Sequence, residues 1–544
     1  MKTSEEQPLR LTRRAALRAL GLTAASVGLA ACGPAAPPAP TAGSEQATAA
    51  KPAAAPTSGP AAAKPGAPTA EVKIGLSSEP NTFDPHLTVG RNTQIFIVNV
   101  YDGLTARDQA GNLVPALAES WKRVDPTTWQ FSLRKGVKFH NGDDFNAESV
   151  KFTLDRAISP DTKATVSSEV GTIAKTDIVD PYTVNIVTKQ PDLLMPNRMG
   201  ELYGLMLSPK HTQAVGAEGI ATKPNGTGPF KLVDWAKNER LVLEANESYW
   251  RGAPKVKTIT VRPILEDAAR IAALQTGEVD LIAPIPHARI EELKRNDKLV
   301  VKTFPAPRIF HVTIDVRKPP FDNVKVRQAL NYAVDVNSII KSIYFGYGTR
   351  LSTVVAKQSV GYDPSLEPYA YDPDKARQLL AEAGYPNGFE TDFDNFTGSI
   401  ADHSKAGEAI VGYLQKVGLN VKQNMFEFGA FGPRRVANQT SPLFIYSIGD
   451  AYFEPSWVIR WLTQQNLGMF YKNEQLDALL TKAEGTDNVE ERKKVYADVQ
   501  RLLKDEAPFI FLFQADGVIG MSTRIDYEPR PDETQWLYPL SVKG

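Results

Sequence analysis

Gly111-Asn112-Leu113-Val114-Pro115-Ala116-Leu117-Ala118-Glu119-Ser120-Trp121, followed by Phe131-Ser132-Leu133-Arg134-Lys135-Gly136-Val137-Lys138-Phe139-His140-Asn141-Gly142-Asp143, is the stretch from which the fold is read. Its second block opens inside Trp129-Gln130-Phe131-Ser132-Leu133, where apolar and polar side chains alternate as in a half-buried strand. It closes on Asn141-Gly142-Asp143, a turn signal. Outward from it, Val72-Lys73-Ile74-Gly75-Leu76 and Leu241-Val242-Leu243-Glu244 also read as strands. Helices follow the other period. Asp372 is a predicted cap with Pro373 in first position; Ala376, Leu379, Leu380 and Ala383 form one apolar face, and Gly384 with Pro386 ends the segment. Val326, Ala329, Leu330 and Ala333 repeat that spacing after Asn323. Asp267 to Leu274 form a third helix before Gly277 and the strand-like Val279 to Ile282. Strands interleaved with helices predict an α/β chain whose sheets are covered on both faces.

Further blocks follow in a fixed order: Gly226-Thr227-Gly228-Pro229-Phe230, Asn246-Glu247-Ser248-Tyr249-Trp250-Arg251-Gly252-Ala253-Pro254, Gln275-Thr276-Gly277-Glu278-Val279-Asp280, and Phe321-Asp322-Asn323-Val324-Lys325-Val326-Arg327-Gln328-Ala329-Leu330. Together with the opening stretch they resemble the family 5 extracellular solute-binding proteins, the peptide- and nickel-type receptors of ABC importers. The resemblance implies a two-lobed, periplasmic-binding-protein-like α/β fold (type II) that closes on its ligand. Lobe one would be discontinuous, 71–304 plus 505–544, with an inserted sub-domain at about 107–221, and lobe two would be 305–504.

The N-terminus gives an independent indication of location. Arg10, Arg13, Arg14 and Arg18 form a positive region, Ala19 to Ala31 an apolar run too short to span a bilayer, and small residues precede Cys32. Residues 1–32 resemble a bacterial lipoprotein signal in which Leu29-Ala30-Ala31-Cys32 ends on the lipidated cysteine. Thr12-Arg13-Arg14-Ala15-Ala16-Leu17-Arg18 also resembles the twin-arginine export motif, with general export as the open alternative. A multi-chain lipid anchors firmly, since each buried methylene contributes ~0.8 kcal/mol. Residues 33–70, almost wholly Ala, Pro, Gly, Ser and Thr, have too few large apolar groups to offset ordering entropy and read as a tether. The expected location is therefore the outer face of a cell membrane, held by lipid alone.

Composition narrows the function. Lysine plus arginine (62) equal aspartate plus glutamate (62), so no global field favours nucleic acid. Cys32 is the only cysteine, which removes an intrachain disulfide and a thiol nucleophile from consideration. His140, Asp143 and Asp144 lie close together, but the turn at Asn141-Gly142 makes them architecture rather than a metal or acid–base site. Gly226-Thr227-Gly228-Pro229 lacks the lysine and helix start of a phosphate loop and reads as a chain-crossing turn. His86, His140, His211, His287, His311 and His403 include no pair at helical or zinc-finger ligand spacing. No cofactor, metal or catalytic group is expected.

Ligand-binding candidates come mainly from lobe two. Leu443 to Gly449 reads as a strand delivering Asp450 to a loop, resembling the place where peptide-binding members present an aspartate to the ligand's α-ammonium. Such a bond would be charge-assisted; the alternative is that Asp450 only caps the following turn. Where dipeptide-binding members carry an arginine for the ligand carboxylate, this chain has Asn395-Phe396-Thr397-Gly398, and Ser447 stands where they carry a bulky aromatic. Both departures suggest a roomier pocket and a longer peptide. Trp457 and Trp461, four apart, would share a helix face, either as core or as a stacking surface. Asn81, Thr82 and Phe83 are the candidates from lobe one, because ligands of open α/β sheets sit beyond strand C-termini. The expected function is a monomeric, lipid-tethered receptor passing peptides to an ABC permease. An oligosaccharide or other small solute is the first alternative; a hydrolase with carboxylates ~5–9.5 Å apart is the second.

Overall fold

Two long strands, Leu299–Ile314 and Phe509–Ser522, pair antiparallel and organise the sheet around them. The computed structural model describes residues 69–88, 91–166, 170–398, 400–463 and 470–543. Cys32, Arg13-Arg14 and nearly all of the Ala/Pro-rich segment lie outside the described residues. From one edge the large sheet runs Asn420–Glu427, Glu390–Thr397, Leu443–Gly449, Leu299–Ile314, Phe509–Ser522, Leu281–Ala283, Ala70–Leu76, Val256–Pro263, Arg240–Ala245 and Phe230–Ala236. The short strand Gly348–Arg350 adds to Phe509–Ser522 off this path.

The ladder between the long strands shifts register at Phe310/His311 and, more widely, where prolines intervene. Pro305 lies opposite Asp516 and Arg308 opposite Ala515, leaving Ala306 and Pro307 outside the register. Proline has no N–H to give a ladder, so Pro305 and Pro307 interrupt the pairing locally. On one side, Arg308–Ile314 pairs with Leu443–Gly449; on the other, Leu281 and Ile282 pair with Met521 and Gly520. Alternate side chains on the first side enter different cores. Phe310, Val312, Ile314, Ile510 and Leu512 face one core, while Ile309, Phe509 and Phe511 face another. Beyond the break, Ile519 and Met521 join a core containing Val72, Ile74 and Ile259.

A separate four-stranded sheet, ordered Ala118–Asp125, Thr128–Leu133, Thr183–Thr188 and Ile173–Asp180, covers a further core with the helix Ala147–Ile158. Trp129 to Leu133 forms the strand expected of it. The helix Pro373–Glu382 is capped by Asp372, whose side chain accepts from Lys375 N at 2.8 Å, and buries Ala376, Leu379 and Leu380. Asn323 caps Val324–Ala333 in the same way, and Val326, Ala329, Leu330 and Ala333 are buried. In the loop Gly226–Pro229 the glycines are required by close approach: a Cβ on Gly226 would stand 2.1 Å from the carbonyl oxygen of Val100. His140 reaches the same loop, with Nε2 3.0 Å from the Gly228 carbonyl oxygen.

Four histidines are buried and neutral in this fold. Burial lowers His86 to about 3, aided by the neighbouring Arg156 cation, and lowers His140 to about 4 against its Gly228 contact. Burial also lowers His311 and His403 to about 3. In the unfolded chain each protonates near its ordinary value of about 6.5. The stability they permit is therefore complete above pH ~6.5 and is lost as pH falls toward 3–4, by about 1.4 kcal/mol per pH unit for each. Calorimetry should show Tm falling between pH 7 and 5, above the range in which carboxylates titrate; an unchanged Tm over that interval would contradict the burial assigned to these rings.

Candidate ligand-binding cleft

A cavity of about 770 Å³ opens beside the break in the long strands. Its walls are strand ends. Leu76 to Ser78 leave the strand Ala70–Leu76, Ala283 to Ile285 leave Leu281–Ala283, and Tyr446 to Gly449 end Leu443–Gly449. Phe304 and Arg308 flank the break on one long strand, and Ala515 to Ile519 line it on the other. Ligands of open α/β sheets lie beyond strand C-termini for the reason seen here: diverging backbones leave a crevice rimmed by loops.

Three candidates from the sequence are brought together at this cavity: Phe396, Ser447 and Trp457. Phe396 stacks on His403 at 3.9 Å between ring centres and on Phe431 at 4.9 Å. Ser447 has a buried Oγ with no hydrogen-bond partner, and Trp457 packs on Tyr452 at 4.9 Å. Trp461 lines the wall as well and stacks on Tyr446 at 5.9 Å, so the two indoles share the cleft-facing side of the helix Pro455–Thr463.

The other candidates lie elsewhere. Asp450 is 1% exposed and is not part of the cavity wall, although Gly449 and Ala451 on either side are. One carboxylate oxygen accepts from Ser359 Oγ and the other from the backbone N–H groups of Tyr452 and Glu454, each at 3.2 Å. Asp450 thus caps the turn that carries Ala451 and Tyr452 to the wall. Burial pushes its carboxyl up, opposed by these hydrogen bonds and by Arg107. Thr397 donates to Glu427 at 2.9 Å and is also off the wall. Asn81 accepts from Thr93 at 2.7 Å, Thr82 accepts from Asp84 N at 3.0 Å, and Phe83 is buried edge-on to Trp235 at 5.3 Å. None of these three lines the cavity; Leu76 to Ser78, earlier on the same connection, do.

The charged groups of the wall were not singled out from sequence. Arg308 forms a bidentate pair with Glu533, both contacts at 2.8 Å. Burial disfavours its charge, but Glu533 outweighs that and raises the guanidinium above its usual range. His287 Nδ1 lies 3.2 Å from Asp402, and Lys405 lies 2.8 Å from it, which ties the segment after Leu281–Ala283 to the start of the helix His403–Lys416. Asp516 faces the cavity with its carboxyl raised by burial, an effect His287 partly offsets. Arg435 packs against Tyr446 at 4.2 Å and Trp461 at 4.7 Å. The arrangement suits binding: aromatic surface, a few convergent polar groups and the partly buried carboxylate of Asp516.

An aromatic-walled cleft beside two crossing strands defines a two-lobed binding protein. The family model for bacterial extracellular solute-binding proteins, family 5, matches residues 112–468. The chain belongs to that family, the solute receptors of ABC importers. It is 34% identical over 455 residues to the glutathione-binding protein GsiB of Pectobacterium atrosepticum, covering 81% of this chain and 87% of the relative. Among solved structures it resembles the periplasmic binding protein DppA from Helicobacter pylori in complex with the peptide STSA, with TM-score 0.81, 25% identity, and 87% and 98% of the two chains covered. It is also similar to a dipeptide-binding protein from Pseudoalteromonas sp. SM9913 in complex with Met-Leu, with TM-score 0.78, 25% identity, and coverage of 87% and 100%. Each of these proteins is described by what it binds.

Proposed function

We propose that this receptor is a non-catalytic lipoprotein that captures short peptides in the cleft and delivers them to a membrane permease. The observation that carries the peptide reading is the cavity wall itself. A volume of about 770 Å³ lies within the range for enclosed small ligands, and Asp516 supplies a partly buried carboxylate for an ammonium group. Asp450, already occupied by Ser359 and by the backbone N–H groups of Tyr452 and Glu454, acts in this reading through the loop it holds. The named ligands of the relatives, glutathione, a tetrapeptide and a dipeptide, support the same class. An oligosaccharide receptor is favoured by one observation only, the paired indoles of Trp457 and Trp461 on the wall.

The sheet supports a hinge at Pro305–Pro307 and Asp516–Gly517. Ile510, Leu512, Phe513 and Ala515 pack in one lobe's core, while Ile519 and Met521 pack in the other's. In this reading the lobes divide at about 304/305 and again near residue 516. Closing about two short strand segments leaves each core intact, as expected of hinged binding proteins.

Isothermal titration of the exported domain with glutathione, short unmodified peptides, N-acetylated peptides and malto-oligosaccharides tests the ligand class. Unmodified peptides should bind, and N-acetylation should weaken binding at least tenfold, a difference of about 1.4 kcal/mol. Binding of the sugars with none of the peptides would replace this reading with the oligosaccharide one.

The anchor is tested separately. Cys32→Ala should yield exported protein in the soluble fraction with unchanged ligand affinity, because the tether isolates the lipid from the folded domain. Retention of that variant on membranes through detergent-free washing would contradict lipid anchoring at Cys32.

A further inference from the structure

The loop Ala451-Tyr452-Phe453 follows the strand Leu443–Gly449 of lobe two, yet its side chains are seated in lobe one. Ala451 and Tyr452, the latter 2% exposed, are buried in a core whose other buried members, such as Leu117, Phe131, Val150 and Met199, all come from lobe one. The Arg198 guanidinium lies 5.7 Å from the centre of the Tyr452 ring. Arg107, also from lobe one, donates from Nε to the Ala451 carbonyl at 3.2 Å and lies over the Phe453 ring at 4.9 Å. Its Nη1 and Nη2 donate to the Gly111 carbonyl at 2.9 Å and to Asn197 Oδ1 at 3.0 Å. The guanidinium is thus fixed to lobe one and presents one N–H to the loop.

The loop itself is built on lobe two. Asp450 donates its N–H to the Pro307 carbonyl at 2.9 Å, and its side chain accepts from the N–H groups of Tyr452 and Glu454. The Phe453 carbonyl accepts from the Val360 N–H at 2.8 Å, and Glu454 is held by Arg492 at 3.1 Å and by the Tyr496 hydroxyl at 2.9 Å. Phe453 has φ +55°, a left-handed conformation that a bulky residue keeps only where its surroundings hold it. The projection is therefore shaped by lobe two before it meets lobe one.

Parting the lobes at the hinge carries this loop away with lobe two and withdraws Tyr452 from its seat. The polar crossings between the lobes, Arg123 with Asp487 at 2.7 Å and His287 with Asp402 at 3.2 Å, can exchange their partners for water. A withdrawn ring has no such substitute: its apolar surface enters water and its seat is left empty. Ala451, Tyr452 and the nearby Trp457 also line the ligand cavity, so the ligand and the seat in lobe one meet the same loop.

We propose that Ala451–Phe453 is an interlobe latch, a projection of lobe two that plugs into the core of lobe one on closure and retains the ligand. This deepens the reading of a hinged receptor and rests on it, but it does not require the ligand to be a peptide. Tyr452 is the plug, Arg107 and Phe453 position it, and Asp450 shapes the turn.

The test compares the exported domain with Tyr452→Ala, Tyr452→Phe, Phe453→Ala and Val150→Ala, the last a smaller deletion in the same core. Thermal unfolding is recorded without ligand, and a pool of unmodified tripeptides is titrated into each protein. A residue buried in every state loses more stability the more atoms are removed. Tyr452→Ala should nevertheless lower the ligand-free Tm less than Val150→Ala, because the plug is out of its seat in the open receptor. The same variant should bind the tripeptides at least about tenfold more weakly, and Tyr452→Phe should bind within about twofold of wild type. Phe453 is not part of the cavity wall, so weaker binding by Phe453→Ala reports the latch and not a lost ligand contact. A ligand-free Tm for Tyr452→Ala below that of Val150→Ala would make Tyr452 a permanent core residue and overturn the latch. Unchanged tripeptide affinity in both Tyr452→Ala and Phe453→Ala would overturn it as well, with the peptide reading left standing. Wild type that ignores the tripeptides would end the peptide reading, and the ligand-free comparison of Tyr452→Ala with Val150→Ala would still decide the latch.

Discussion

The pairing of Leu299–Ile314 with Phe509–Ser522 is the constraint on which the rest of the molecule depends. Both strands run through the sheet from one core to another, so the two halves share a continuous backbone instead of merely touching. Prolines 305 and 307 break the ladder at one level, and pairing resumes on either side, with a second, smaller register shift between Phe310 and His311. A local interruption between two independently packed cores is where bending costs least, because no apolar side chain must leave its core. The cleft opens at that same level, and its walls are the ends of strands that the long pair positions.

Buried carboxylates of the scaffold are paired or hydrogen-bonded. In the scaffold Asp84 is paired with Arg156, Asp192 with Arg198 at 3.0 Å, and Glu454 with Arg492 at 3.1 Å and the Tyr496 hydroxyl at 2.9 Å. Asp102, which forms no salt bridge among the described residues, accepts from Tyr249, Trp250 and Thr227. Each arrangement meets the cost of removing polar groups from water. Buried side-chain atoms without a partner occur both in the scaffold, such as the Tyr101 hydroxyl and Arg492 Nε, and in residues of the cavity wall, such as Ser447 Oγ and the hydroxyls of Tyr344 and Tyr527.

Much of the fold was legible because its signals are local. Asp372 and Asn323 cap their helices as their side chains suggest, and Trp129–Leu133 alternates because one face of its sheet is covered. The start of the strand Phe509–Ser522 gave no such signal: Phe509 and Phe511 enter one core while Ile510 and Leu512 enter another, so Phe509 to Phe513 is an apolar run without period. The site was partly legible. Ser447, Phe396 and Trp457 reach the cavity, but the rule placing ligands beyond the first strand was satisfied earlier, by Leu76 to Ser78, before Phe83 turned into the core. Arg435 resembled an ordinary basic residue in a helix's last turn. Arg308 and Glu533 are 225 residues apart, and only the folded chain joins them.

The central claim is that the two lobes close about the Pro305–Pro307 and Asp516–Gly517 crossings when a peptide enters. Small-angle X-ray scattering of the exported domain, recorded without ligand and at saturating peptide, tests it most directly. The account predicts a smaller radius of gyration and a shorter maximum dimension in the bound state. Identical scattering curves at a peptide concentration shown by titration to fill the site would contradict it.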